Sequence, residues 1–123
     1  MAVPILKQGP FLIASIQAAL TDTDVLQLRD DVMSQVTRHR SRGIIVDVTA
    51  LDVMDSFVSR SLQGISRMTR LRGAETVIVG IQPEVAFAMV QLGMNLDDVD
   101  TALDLEEGLA LLQDRGGLPD GDA

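Results

Sequence analysis

Two short β-branched runs constrain this chain more than any other feature: Ile44 to Val48 (IIVDV), just after Gly43, and Thr76 to Gly80 (TVIVG). Their length and apolarity suit strands buried on both faces, as in a sheet covered on each side. The segment between them has helical spacing. A helix from Ser56 to about Arg72 places Val58, Leu62, Ile65 and Met68 inward, with Gly73 to close it. A strand, a helix and a second strand of this kind join in parallel by a right-handed crossover. Ile44 to Val48 is then the centre of the sheet.

The flanking segments extend the pattern. VPILKQ at 3–8 and FLIASI at 11–16 are apolar pieces separated by Gly9 and Pro10, which reads as an N-terminal hairpin. Thr21, Asp22, Thr23 and Asp24 offer capping oxygens and negative charge to a first helical turn. Val25, Leu28, Val32 and Val36 follow at helical spacing, so this helix runs to about Arg40 and stops before Gly43. Pro83 suits the first turn of a third helix and Gly93 its end. Residues 100–104 (DTALD) read as a brief edge strand. A last helix runs from Leu105 to Gln113 with Leu105, Leu109 and Leu112 inward. The order β-β-α-β-α-β-α-β-α predicts an α/β fold: a mixed, mostly parallel sheet with an antiparallel N-terminal hairpin and about four helices.

At 123 residues one core suffices, and with Phe11, Phe57 and Phe87 as its only aromatic residues that core is aliphatic. The absence of cysteine excludes disulfides and thiol chemistry and suits a cytoplasmic protein. No apolar run approaches the roughly 18 residues of a membrane span, and MAVPILKQGP lacks the pattern of a signal peptide. A net charge of −8 repels nucleic acid and anionic membranes alike. The charge is uneven: arginines 38, 40, 42, 60, 67, 70 and 72 crowd the middle, and nine acids lie from Asp97 onward. Such asymmetry suits contacts between proteins, including copies of the same chain.

Catalytic options are few. The single histidine, His39, lies in a basic RHRSR run at the end of the first helix, away from the carboxyl ends of the strands where α/β active sites gather. No G-x-S-x-G elbow, phosphate-binding glycine loop or metal-ligand pattern is present. Asp47, Asp52 and Asp55 could bind Mg²⁺ or accept a phosphoryl group. The lysine that such a receiver needs near a later strand is missing, since the one lysine is Lys7 in the first strand. The expectation is a non-enzymatic protein without cofactor or metal. Ser56, in LDVMDSFVSR, has two readings: a plain N-cap of the second helix, or an exposed hydroxyl offered to a kinase.

The strand and loop IIVDVTALDVMDS, with the helix after it, resembles the STAS domain of bacterial anti-sigma-factor antagonists. PILK near the start, SIQ at 15–17, MDSF at 54–57, GIQPEVA at 80–86 and TALDLEEGL at 101–109 look like the branch of RsbS-type stressosome scaffolds. The resemblance implies a STAS domain over residues 1–115 with a flexible tail at 116–123. It implies phosphorylation of Ser56 by an RsbT-like serine/threonine switch kinase, with release of the sequestered kinase. Asp55, Phe57, Asp52 and Ser59 then contribute to kinase docking, Ser59 either as a minor second phosphorylation site or as a surface residue of the helix. RsbR-like STAS sensor proteins and further copies of the chain are the implied partners in a large assembly. A free antagonist that switches partners outside any assembly is the alternative.

Overall fold

The computed structural model describes residues 3–93, 96 and 99–116. Strands β1 (Ile5–Gln8) and β2 (Phe11–Ser15) form the hairpin, followed by α1 (Asp22–His39), β3 (Gly43–Asp47), α2 (Ser56–Leu71), β4 (Glu75–Val79), α3 (Pro83–Gln91), β5 (Asp100–Ala102) and α4 (Leu105–Gly116). The sheet order is β1-β2-β3-β4-β5; β1 and β2 are antiparallel and every other pair is parallel. This is the predicted order, with β3 at the centre. The edge strand is shorter than expected, because Leu103 and Asp104 already turn into α4. Asp104 accepts from the backbone N–H of Glu107 at 2.9 Å, and the Glu107 carboxylate accepts from Leu103 N–H at 2.7 Å. The expected tail lies outside the described residues except for Gly116, which α4 takes in.

Alternation along the strands divides the interior between two faces. Leu12, Ala14, Ile44, Val46 and Ile78 face α1, α2 and α3, which bury Val25, Leu28, Val32, Val36, Val58, Leu62, Ile65, Val85 and Met89 against them. Phe11, Ile13, Ile45, Val77 and Val79 face α4 and meet Leu112, with Leu105 and Leu109 partly buried beside it. Gly108 lets α4 lie close to the sheet, since a Cβ there would sit 2.7 Å from Val79 Cγ1.

The α1 stripe is as predicted, and α1 starts with a capping box: Thr21 Oγ1 accepts from Asp24 N–H at 3.1 Å and Asp24 accepts from Thr21 N–H at 3.0 Å. It ends on Arg40, the one described non-glycine residue with a left-handed backbone (φ 49°). On α2 two expectations change. Met68 is 37% exposed, and Ser59, Ser66 and Thr69 are buried instead. The helix faces both α1 and β4, so its buried face is wider than a single stripe of large apolar residues, and hydroxyl side chains fill the close approach. Thr69 Oγ1 donates to Ser66 O at 3.0 Å and lies 2.9 Å from Thr76 Oγ1 on β4.

Candidate functional site at the start of the second helix

The carboxyl ends of the parallel strands and the N-termini of α2 and α3 meet at one end of the sheet. The chain leaves β3 through a fixed corner. Asp47 Oδ1 accepts from Thr49 N–H at 2.9 Å and from Thr49 Oγ1 at 2.6 Å, and Leu51 N–H donates to Val48 O at 2.9 Å. Leu51 and Met54 are buried and pin the loop to the core, which turns Asp52 and Val53 outward, Val53 with 72% of its surface exposed. Gln82, just before α3, donates from Nε2 to Thr49 O at 2.7 Å and joins the two corners. Gly80, with φ +80°, allows this approach: a Cβ there would lie 2.0 Å from Thr49 Oγ1.

Asp55, not Ser56, is the N-cap of α2. Its Oδ1 accepts from Val58 N–H at 2.8 Å, and its carbonyl accepts from Ser59 N–H at 3.0 Å. The reading of Ser56 as the cap is therefore corrected. A carboxylate one residue earlier reaches the free amides and complements the positive end of the helix dipole. Ser56 stands at the first helical position, exposed, and among the described residues nothing hydrogen-bonds its hydroxyl.

The other predicted residues divide. Asp52 and Asp55 are exposed beside Ser56. Phe57 is half-buried and packed against the larger core cluster, so only part of its ring faces outward. Ser59 is corrected: it is 3% exposed and its Oγ has no hydrogen-bond partner among the described residues. It faces inward between Val58 and Leu62, and its hydroxyl is closed to an approaching protein.

What the sequence reading missed is the other wall. A groove of about 530 Å³ is lined by Asp52, Val53, Met54, Asp55 and Ser56 on the α2 side and by Glu84, Val85, Ala88 and Leu92 on the α3 side. Its floor is apolar and its rim carries the carboxylates of Asp52, Asp55 and Glu84. Beyond it α3 exposes Phe87 (65%) and Val90. The available signal was the GIQPEVAFAMV segment, whose apolar residues outnumber those one buried stripe can use.

The catalytic alternatives do not assemble. His39 ends α1 at the opposite end of the sheet from Ser56, so the two make no Ser-His pair. Asp47 is engaged by Thr49, and among the described residues no group of three or more histidine, aspartate or glutamate side chains is placed to hold a metal ion.

The STAS domain family model matches residues 2–108. The chain belongs to the STAS domain family. RsbS from Moorella thermoacetica, in a serine-to-glutamate variant, matches with 35% identity and a TM-score of 0.78 over 92% of this chain and 96% of that one. A chain from the molecular architecture of the stressosome, a signal integration and transduction hub, matches with 34% identity and a TM-score of 0.75, covering 94% of this STAS chain and all of its own. By sequence, the RsbT co-antagonist protein RsbRA of Bacillus subtilis is 32% identical over 83 residues, 68% of this chain. The chain spans only 30% of that relative's length. No helix among the described residues is long and apolar enough to cross a membrane.

Proposed function

We propose that this STAS domain is an RsbS-like stressosome scaffold whose Ser56 hydroxyl is the phosphoacceptor of an RsbT-like serine/threonine kinase. The observation that carries the reading is the division of labour at the start of α2. Asp55 caps the helix, and the exposed Ser56 hydroxyl has no hydrogen bond to lose among the described residues. A phosphate there adds close to two negative charges and three acceptor oxygens. The helix N-terminus favours that charge, and the carboxylates of Asp52, Asp55 and Glu84 oppose it. These effects offset one another, so phosphorylation leaves the fold in place and changes what the groove can bind. A kinase seated over a neutral hydroxyl and the apolar floor then meets a dianion and is released. The resemblance to an RsbS chain along nearly its whole length and to RsbRA supports association with RsbR-like STAS sensor proteins in the same assembly.

The test is incubation with an RsbT-like kinase and ATP, followed by mass spectrometry of wild type and Ser56→Ala. One phosphate on the wild type and none on the variant supports the assignment; equal modification of both overturns it. Size-exclusion chromatography with an RsbR-like partner reports the scaffold role, which requires particles far larger than a dimer.

A further inference from the structure

Arg60 is exposed and, among the described residues, takes part in no hydrogen bond or ion pair. On the surface of a helix its neighbours are the residues three and four positions away. One turn earlier these are Ser56 and Phe57, and one turn later Gln63 and Gly64. None of them carries a charge, because α2 holds arginines 60, 67 and 70 and no aspartate or glutamate. Of the four, only Ser56 can acquire one by phosphorylation. Side chains on a helix also lean toward its N-terminus, so the long arm of Arg60 lies back over the turn that Ser56 begins. Cβ atoms four residues apart are about 5–6 Å from each other, a gap that a guanidinium on one side and a phosphate on the other close to bonding distance.

We propose that Arg60 is the internal partner of a phosphate on Ser56: its guanidinium donates two N–H groups to phosphate oxygens and holds the dianion on the outer surface of α2. The inference rests on the reading of Ser56 as a phosphoacceptor and adds what becomes of the phosphate once it is there. Without such a partner the dianion faces Asp52 and Asp55 of the loop and Glu84 of α3, three carboxylates on the rim of the same groove. Arg60 is the arginine that α2 sets one turn from Ser56, whereas Arg67 stands about 16 Å further along the helix axis from the serine. The pairing runs in the favourable direction, with the anion N-terminal to the cation. It also ties the first turn of α2 to the second, so the modified helix start is held at least as firmly as the unmodified one. Phosphorylation then changes two surface groups at once: a neutral hydroxyl becomes an anion, and an unpaired cation is neutralised.

The test needs no kinase. Phosphoserine is placed at position 56 during translation, in the full chain and in chains that also carry Arg60→Gln or Arg67→Gln. Phosphorus-31 NMR follows the phosphate through its second ionisation, near pH 6 when unpaired. A guanidinium beside the phosphate favours the dianion and lowers that midpoint, whereas the three carboxylates raise it. The midpoint in the Arg60→Gln chain is expected at least about half a unit above that of the chain with both arginines, and Arg67→Gln is expected to leave it in place. Equal midpoints with and without Arg60 overturn the proposal. So does a shift from Arg67→Gln as large as that from Arg60→Gln, which marks the summed field of the arginines and not a pair. A kinase that fails to modify Ser56 counts against phosphorylation at that serine and leaves this midpoint unchanged.

Discussion

Replacing Asp55 with alanine should destabilise the domain, whereas replacing its neighbour Ser56 should not. Asp55 Oδ1 holds Val58 N–H at 2.8 Å, and Val58 is buried, so the amide has poor access to water once the carboxylate is gone. Loss of an N-cap of this kind costs about 1 kcal/mol, within a range of roughly 0.5–2. The charge of Asp55 near the helix N-terminus is removed as well, so the upper half of that range applies. One kcal/mol is about a fivefold fall in the folded-to-unfolded ratio. At about 1.25–2 kcal/mol and a urea dependence of roughly 1–3 kcal/mol per molar, the midpoint drops by about 0.4–2 M. Ser56→Ala removes an exposed hydroxyl without a partner and should stay within about 0.5 kcal/mol of wild type. Urea titrations of the three proteins, followed by circular dichroism, give the comparison directly. Equal losses in both variants, or a loss confined to Ser56→Ala, would refute the assignment of the cap and with it the argument that Ser56 is free for modification.

Other substitutions probe the interior and the corner. Ser59→Ala should be neutral or stabilising in the same titration, because the buried Oγ of Ser59 has no hydrogen-bond partner to lose among the described residues. Thr69→Val should cost about 1–3 kcal/mol and Thr76→Val less. Thr69 already donates to Ser66 O, so Thr76 must donate to Thr69 and is the hydroxyl left stranded when Thr69 goes. Gly80→Ala should cost at least about 2 kcal/mol, from left-handed backbone strain and the clash with Thr49 Oγ1. A Thr49→Ala partner mutation should recover part of that loss, and a double-mutant cycle measures how much.

Most of the fold was legible because it rests on local signals. The strands at 43–47 and 75–79 each carry three consecutive β-branched apolar residues, Ile44 to Val46 and Val77 to Val79, as doubly covered strands do, and α1 has regular spacing and a capping box within four consecutive residues. The errors fall where a helix meets two neighbours at once. The spacing of the large apolar residues of α2 puts Met68 inside and Ser59 outside. Packing against α1 and β4 buries small hydroxyl side chains there instead. The cap was off by one residue for a similar reason. Asp55 and Ser56 are both good caps in sequence, and which oxygen reaches an amide depends on the angle at which the loop enters the helix. Met54 and Leu51 set that angle by being buried.

By itself the amino-acid sequence determined the order of elements, the aliphatic core and the serine at the end of the central loop, because periodicity, β-branching and turn chemistry act over a few neighbouring residues. Tertiary structure alone decided that Ser56 shares a groove with Glu84, Ala88 and Leu92, that Ser59 is closed to solvent and that Leu71 stands exposed at the other end of α2. These facts depend on where parallel crossovers set α2 and α3 against the sheet, and residues brought together that way leave no trace in local spacing.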